Sequence, residues 1–294
     1  MAIVALGGAL IAAVAAGAAW VSRRRIRARF ETAADRTSRG ADIIEGAEPV
    51  SLNHGDRGVL ILHGFGDTPQ SVRALATALH ANGWTVRAPL LHGHGSSLRA
   101  FTEASAQSWL ADAGHALDEL RTHVTRVVLV GQSMGGALAT ILASEGHVDA
   151  LVLLVPFGRL SPRAARFAAF HRVVSLFVPY LRSRSDSSIL DPEARSRGLG
   201  RGVTTPRLLH ELSLIVRHAR DSAPSIRVPA LVIHSRQDPR VTIGDAEAAF
   251  ARLGSTEKTL EWATRSGHVL TVDFDRDWVT SQVLGWLEAQ VPRA

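Results

Sequence analysis

One short segment constrains the fold more than any other: an apolar strand that leads directly into a glycine-rich turn and then a helix. Residues 127–130 are Val-Val-Leu-Val, and residues 131–135, Gly-Gln-Ser-Met-Gly, precede an alanine-rich stretch of helical character. Glycines two positions before and after a serine let strand and helix converge, because side chains there would collide. Such a turn presents the serine hydroxyl above the sheet edge in a strained conformation. The segment predicts Ser133 as a nucleophile, although a phosphate-binding turn has a similar pattern.

Apolar runs of strand length alternate with longer segments of helical period along most of the chain. This pattern predicts an α/β fold, a mostly parallel sheet flanked by helices. Leu75 and Leu79 lie on one such helical stripe, which ends at Asn82 and Gly83, a favourable helix stop. The predicted strands are residues 58–62, 85–89, 127–130, 150–155, 230–234 and 259–262.

The interval between Val155 and Pro229 lacks a convincing strand and is too long for an ordinary connection. We therefore expect a small helical cap insertion over about residues 157–225. A serine followed by proline at residues 161–162 favours a helix start there. The large apolar residues after it that fall on one helical face are Phe167, Phe170, Val174 and Phe177.

A serine nucleophile needs a histidine base and an acid that orients the base. The predicted strand 230–234 is followed by Asp238, and side chains just beyond the carboxyl end of a strand lie where α/β sheets collect their sites. We predict Asp238 as the acid, with Asp245 as second choice. The next predicted strand is followed by a short glycine-marked loop that carries His268, the predicted base. The order Ser133, Asp238, His268 is the one in which nucleophile-elbow enzymes carry these residues.

Stabilising a tetrahedral oxyanion requires two backbone N–H donors, one after the nucleophile and one from the loop after an early strand. Met134 follows the nucleophile and is the first predicted donor. Residues 63–66, His-Gly-Phe-Gly, follow the first predicted strand, and their glycines allow the backbone to bend. Phe65 is therefore the second predicted donor.

The histidines at residues 92 and 94 suggest a metal site as an alternative. Such a site needs a third ligand at a recognisable spacing, and neither that ligand nor an HExxH motif is present. We expect the glycines of this segment to shape a loop at the rim of the site, and we expect no metal or organic cofactor. The chain has no cysteine, which excludes disulfides, Cys-ligated zinc and a thiol nucleophile.

Residues 2–21 are uninterruptedly apolar or small, and five arginines follow between residues 23 and 29. We predict a transmembrane anchor at residues 1–21, a basic juxtamembrane linker at residues 22–45 and a folded domain over residues 46–294. The arginine cluster predicts a single-pass cell-membrane protein with its catalytic domain on the cytoplasmic side. The alternative is cleavage of a signal peptide and secretion. Because this cluster supplies most of the net charge of +6, we expect no nucleic-acid partner.

Together these residues resemble the α/β-hydrolase superfamily, and within it bacterial monoacylglycerol lipases and small bacterial carboxylesterases. The resemblance implies an α/β-hydrolase fold with a small cap, Ser133, Asp238 and His268 as catalytic residues, and Phe65 and Met134 as oxyanion donors. It does not extend closely enough over residues 156–206 to identify residues that contact the alcohol group. The motifs that carry it are residues 46–49, 63–66, 93–95, 131–136 and 273–275.

These features predict a serine hydrolase that cleaves carboxylic esters, monoacylglycerols or similar lipid-like esters, through an acyl-enzyme on Ser133. The alternatives are an acyltransferase or perhydrolase with the same residues, and a non-catalytic membrane-tethered binding module. Residues 157–185 contain six arginines and no acid. This segment either contacts anionic lipid or forms a solvated helix face.

Overall fold

The structure, a computed structural model, describes residues 13–14, 16–18, 20–25, 43–156, 158–182, 188–200 and 202–293. The described residues before residue 26 are helical. Most of the predicted anchor and linker lies outside the described residues, so both stay predictions. Within the described ranges, no helix combines the length and the apolar character needed to cross a bilayer.

Seven strands of the described chain form one sheet with the order β1-β3-β2-β4-β5-β8-β9. Every neighbouring pair is parallel except β1 and β3, which are antiparallel. A separate two-stranded antiparallel sheet joins β6 and β7. The strands are β1 (Val50–Leu52), β2 (Arg57–Leu62), β3 (Thr85–Ala88), β4 (Arg126–Gln132), β5 (Ala150–Leu154), β6 (Leu181–Arg182), β7 (Val203–Thr204), β8 (Ala230–Ser235) and β9 (Lys258–Ala263).

Helices connect consecutive parallel strands, and short 3₁₀ turns cover Pro69–Val72 and Ala223–Ser225. Most of the helices begin at a Ser, Thr or Asp whose side chain accepts a backbone N–H, the usual amino-terminal cap. The helices are α1 (Arg73–Ala81), α2 (Leu98–Glu103), α3 (Ala106–Arg121), α4 (Met134–Ser144), α5 (Pro162–Ala169), α6 (His171–Phe177), α7 (Pro192–Arg197), α8 (Pro206–Ser222), α9 (Ile243–Arg252) and α10 (Arg276–Gln290).

The central strands are buried on both faces, which explains their continuous apolar runs. In β2, Val59 and Ile61 join the core on one face of the sheet, whereas Leu60 and Leu62 join the core on the other. This alternation follows from the two-residue period of a strand. The carboxyl ends of β4 and β8 are therefore held by a sheet that is packed on both faces.

The predicted fold class is confirmed, and each of the six predicted strands corresponds to a parallel strand of the sheet. The structure adds β1 at the sheet edge and the two-residue strands β6 and β7 between β5 and β8. The expectation of one apolar helical face at residues 167–177 was wrong. Phe170 is a break between α5 and α6, so the helical phase does not continue across it, and Phe170 and Phe177 are exposed.

Candidate active site

Ser133 lies at the turn between β4 and α4, in a backbone conformation that side-chain-bearing residues rarely adopt, with φ 55° and ψ −117°. The turn is so tight that a Cβ on Gly135 would lie 2.0 Å from the carbonyl oxygen of Leu62. A Cβ on Gly131 would lie 2.3 Å from the carbonyl oxygen of Gly135. Both positions therefore require glycine, and the turn has the shape of a nucleophile elbow.

The structure brings Ser133, His268 and Asp238 together in one hydrogen-bonded chain. His268 Nε2 lies 2.8 Å from Ser133 Oγ, and His268 Nδ1 lies 2.7 Å from Asp238 Oδ2. The three residues come from the loops after β4, β8 and β9, three strands whose carboxyl ends share one edge of the sheet. The Asp238 side chain is fully buried, and only 6% of His268 and 7% of Ser133 is exposed.

The surroundings of Asp238 favour its charged form. Burial raises the pKa of the Asp238 carboxyl, but the neighbouring His268, its hydrogen bond and two backbone amides together lower the pKa below its usual range. The amides of Arg240 and Val241 contribute by donating to Asp238 Oδ1 over 2.7 and 3.1 Å. An ionised carboxylate at this point can stabilise a positively charged imidazole at His268.

Asp245, the second choice for the acid, is not part of this chain of hydrogen bonds. It lies in the first turn of α9, where its carboxylate forms an ion pair with Arg159 at 2.5 Å. Its Oδ2 also accepts a hydrogen bond from the Thr242 hydroxyl over 2.8 Å. Asp245 therefore organises the start of α9.

The two predicted oxyanion donors flank Ser133. Phe65 lines the same cavity as Ser133 and His268, and a Cβ on the preceding Gly64 would lie 3.5 Å from the Ser133 Cβ. Met134 is the first residue of α4, where a helix leaves its N–H groups without helical partners. Among the described residues, neither amide donates to a backbone carbonyl outside its own helix or strand. The role of both amides as oxyanion donors stays a prediction.

Asp273, whose function the residue pattern did not reveal, organises the loop that carries His268. The side chain is completely buried, and four backbone amides donate to its two oxygens. Gly267 and Leu190 donate to Oδ2 over 2.7 and 2.8 Å, and Asp191 and Phe274 donate to Oδ1 over 2.8 and 2.9 Å. The carboxylate thus ties the base loop to the segment that returns from the cap. The sequence analysis used residues 273–275 only as one of the motifs that resemble the α/β-hydrolases, and it predicted no role for Asp273.

The His63 side chain supports the loop that contains Phe65. Its Nδ1 donates to the Gly64 carbonyl over 2.9 Å, and its Nε2 accepts the Leu91 amide over 3.2 Å. Burial lowers the pKa of His63 to about 4, so the ring is neutral and can fill both roles.

His94, one of the two histidines considered as metal ligands, is buried against the rings of Phe65, Phe101 and Trp109. Its ring lies 5.0 Å from that of His63, centroid to centroid. Across the described ranges, no group of three or more His, Asp or Glu is arranged to hold a metal ion. The loop at residues 92–97 therefore packs, through His94, against the side chain of Phe65, the predicted oxyanion donor.

A cavity of about 850 Å³ opens over Ser133 and His268, within the size range of small-molecule sites. Its walls come both from the sheet edge and from the segment between β5 and β8. Burial raises the pKa of the Asp67 carboxyl in its wall. The larger apolar side chains in the walls are Phe65, Leu160, Phe167, Leu181, Ile189, Val203, Leu209, Leu212, Val269 and Val272.

Comparison with known proteins places this geometry in a family. Residues 54–275 match the Hydrolase_4 family, described as serine aminopeptidase, S33. The chain is 30% identical over 242 residues to a thermostable monoacylglycerol lipase from Bacillus sp. (strain H-257), covering 82% of this chain and 94% of the relative. It is 26% identical to a carboxylesterase from Bacillus subtilis (strain 168), covering 82% of this chain and 96% of that relative.

Solved structures of lipolytic enzymes are also similar to this chain. A structure from the metagenome-derived lipolytic enzymes LipS and LipT shares 30% identity and a TM-score of 0.76, covering 84% of this chain and 99% of the other. The monoacylglycerol lipase of Paleococcus ferrophilus has a TM-score of 0.72 at 19% identity, with 82% and 98% coverage, a likeness of fold alone. The predicted superfamily and the predicted enzyme class, a carboxylic ester hydrolase, are confirmed by these matches. The chain belongs to the Hydrolase_4 (serine aminopeptidase, S33) family of α/β-hydrolases.

Proposed function

We propose that this enzyme hydrolyses esters of a single acyl chain, monoacylglycerols or esters of similar shape, by acyl transfer to Ser133. The observation that carries the proposal is the continuous hydrogen-bonded chain from Ser133 Oγ through His268 to Asp238, with distances of 2.8 and 2.7 Å. The ester class follows the names of the relatives, a monoacylglycerol lipase and a carboxylesterase.

In the first half of the reaction, His268 Nε2 accepts the hydroxyl proton as Ser133 Oγ bonds to the ester carbonyl carbon. The amides of Phe65 and Met134 donate to the oxyanion, and the Asp238 carboxylate stabilises the imidazolium. The carbon–oxygen bond to the alcohol then breaks, and His268 returns the proton to the leaving alcohol. The acyl group remains on Ser133.

In the second half, His268 takes a proton from a water molecule that attacks the acyl carbon. The resulting tetrahedral intermediate collapses with the release of the carboxylic acid, and Ser133 recovers its proton from His268. No step requires a metal or organic cofactor. An alcohol, amine or peroxide in place of the water would give acyl transfer or perhydrolysis with the same residues.

The shape and lining of the cavity support a substrate with an apolar acyl chain. Its walls combine a set of aliphatic and aromatic side chains with polar ones, among them Arg163, Arg182 and Arg240. Burying hydrocarbon against the apolar part of the walls is favourable in proportion to the apolar area removed from water. A substrate with one chain and a small polar alcohol group suits a cavity of about 850 Å³.

We also propose that the enzyme acts at a membrane surface, through the predicted anchor at residues 1–21 and the cap. Several large apolar side chains of the cap are exposed, among them Phe170, Val173, Leu176 and Phe177. The exposed arginines Arg166 and Arg172 are close to them in the chain. Apolar side chains beside basic ones suit an anionic lipid surface.

The proposed reaction is tested by labelling with a fluorophosphonate and by turnover of p-nitrophenyl esters and monoacylglycerols of graded chain length. We expect labelling and turnover in the native chain, and a loss of about 10⁶-fold in kcat together with loss of labelling in Ser133→Ala. Ser144→Ala, at the far end of the helix that follows Ser133, is the matched control and should retain both. An aminoacyl p-nitroanilide and mass analysis of products distinguish peptidase, transferase and hydrolase chemistry. Absence of labelling and of turnover across the whole series would contradict the proposal and favour the binding module.

A further inference from the structure

A second cavity, of about 460 Å³, is lined in part by the elbow helix α4 and shares no lining residue with the catalytic cavity. Close-packed protein interiors leave few voids larger than a water molecule. A concave space of this volume is within the range of ligand sites. We call it the second cavity.

The second cavity exists because two helices place small residues where core-facing helices usually carry large ones. In α8 and the turn after it, the lining residues are Val216, Ala219, Arg220 and Ala223. In α9 they are Asp245, Ala248, Ala249 and Arg252. Both sets have the spacing i, i+3, i+4, i+7, which puts each on a single helical face. Two alanine-lined faces thus leave an apolar space between them.

The rim of this apolar space is basic. Three arginines, at residues 159, 220 and 252, line the second cavity against one carboxylate, that of Asp245. Arg159 is paired with Asp245 at 2.5 Å, and Arg220 contacts Asp221 only at 3.6 Å. Arg252 is exposed and forms no ion pair with any residue that the structure describes. The rim therefore carries excess positive charge.

We propose that the second cavity binds a long-chain carboxylate, with its hydrocarbon chain among the alanines and its carboxylate at Arg220 and Arg252. Hydrocarbon is the group that an apolar lining accommodates, and a guanidinium recognises a carboxylate through paired hydrogen bonds. The proposed reaction releases such a molecule, so the choice of a fatty acid as ligand rests on the proposed function. The existence of the cavity is independent of the proposed function.

The location of the second cavity connects it to the catalytic residues. Gly136, Ala137 and Thr140 line it from α4, the helix that begins immediately after Ser133. Asp245 lines it from α9, the helix that follows the loop of Asp238. A bound carboxylate contacts both of these helices, which support the nucleophile and the acid.

The test is calorimetric titration with dodecanoate, below its micelle-forming concentration, of full-length chain whose Ser133 carries a long-chain alkyl fluorophosphonate. The label fills the catalytic cavity, so we expect the remaining binding to be a single molecule per chain. Arg252→Glu should weaken this binding by about tenfold or more, because it replaces the attracting charge with a repelling one. Gly244→Leu should weaken it similarly, because Gly244 lines the cavity and a Cβ there meets no atom within 4 Å.

Two matched controls separate the cavity from general effects. Arg217→Glu changes an exposed arginine of α8 that does not line the cavity, and Gly285→Leu fills open space on α10. Both should bind dodecanoate as the native chain does. Absence of binding, binding insensitive to Arg252→Glu and Gly244→Leu, or equal weakening by the controls would overturn the proposal. If labelling fails, the proposed function fails, and the same variants in unlabelled chain still report on the second cavity.

Discussion

At the scale of single residues, Asp238 and Asp245 both follow β8, but they are held by different partners. Asp238 receives two backbone amides and the His268 imidazole, whereas Asp245 is bound to Arg159 and Thr242. A carboxylate that orients a catalytic imidazole contributes to kcat, whereas one that lies in the first turn of a helix contributes to stability. The two aspartates occupy similar positions in the sequence, so the sequence alone does not distinguish their roles. Substituting each in turn does.

We expect Asp238→Asn to lower kcat by about 10⁴-fold, because an amide in that position favours the wrong tautomer of His268. Asp245→Asn, the matched control, should keep kcat within a few-fold of the native value. Steady-state kinetics on a soluble p-nitrophenyl ester measure both, and thermal unfolding verifies that each variant is folded. Comparable losses in the two variants, or full activity in Asp238→Asn, would contradict the assignment of the acid.

His63 makes a contribution to stability that depends on pH. The folded chain keeps the ring neutral down to its pKa of about 4, whereas the unfolded chain takes up a proton below the ordinary value of 6.5. The free energy of unfolding therefore falls as pH decreases from 6.5 towards 4, and between pH 6.5 and 5 this residue accounts for about 2 kcal/mol. The buried Asp67, whose pKa is raised, acts in the opposite direction below its folded-state pKa.

The contribution of His63 is isolated by comparing the native chain with His63→Asn in urea unfolding at pH 7 and pH 5. The native chain should lose more stability than the variant by about 2 kcal/mol, because the groups they share cancel. His123→Asn, at an exposed histidine, should retain the native pH dependence. An identical pH dependence in His63→Asn and the native chain would show that this ring does not resist protonation.

At the scale of elements, the turn between β4 and α4 depends on close backbone approach. Gly135→Ala would drive a methyl group to 2.0 Å from the Leu62 carbonyl oxygen, so β2 and α4 would have to separate. We expect a loss of more than about 4 kcal/mol in the free energy of unfolding, or no folded protein. Gly114→Ala, inside α3 with no atom within 4 Å of the added Cβ, should gain about 0.5–1 kcal/mol. Near-native urea stability of Gly135→Ala would contradict the close approach.

The elements that were predictable from the sequence are those with a strong local signal. The strands β2, β4, β5 and β8 contain continuous apolar runs because both of their faces are buried. The turn at Ser133 is recognisable from its flanking glycines. Strand β1 escaped prediction because it has three residues and only one of them is buried. The two-residue strands β6 and β7 depend on pairing with each other, which no local pattern records.

In the candidate site too, residues with a strong local signal were predictable and residues defined by tertiary contacts were not. Ser133, Asp238 and His268 each follow a recognisable strand, so the sequence was sufficient to select them. The role of Asp273 arises only when amides from Leu190, Asp191 and Gly267 converge on its carboxylate. That convergence joins segments about eighty residues apart in the chain, and only the tertiary structure brings them together.

At the scale of the whole molecule, the exposed apolar side chains of the described chain concentrate on the cap. Among them Phe170 is 64% exposed and Leu176 is 67% exposed. A patch of large apolar side chains on a protein surface generally marks a contact with a partner or a membrane. The arginines beside the patch favour an anionic lipid surface over a neutral one.

We expect the double variant Arg166→Gln, Arg172→Gln to weaken binding to vesicles of anionic phospholipid by about 2 kcal/mol, roughly 30-fold. Co-sedimentation measures this binding for a chain that begins at residue 43, without the predicted anchor. Leu176→Ser should weaken binding to anionic and zwitterionic vesicles alike, since it removes apolar contact. Arg99→Gln, at an exposed arginine outside the cap with 86% of its side chain accessible, is the control. Unchanged vesicle binding in the double variant would contradict a role of Arg166 and Arg172 in lipid binding.

The carbonyl oxygen of Ser188 accepts the amides of His268 and Val269 over 2.7 and 3.1 Å. The Asp273 carboxylate accepts the amides of Leu190 and Asp191, two and three positions further along the chain. Exchange of the cap between relatives, a common route to altered selectivity, therefore has a fixed boundary. A graft that replaces residues 188–191 along with the rest of the insertion removes the contacts that hold the loop of His268, the proposed general base. One that stops before residue 188 keeps these contacts and changes the part of the insertion that lines the cavity over Ser133.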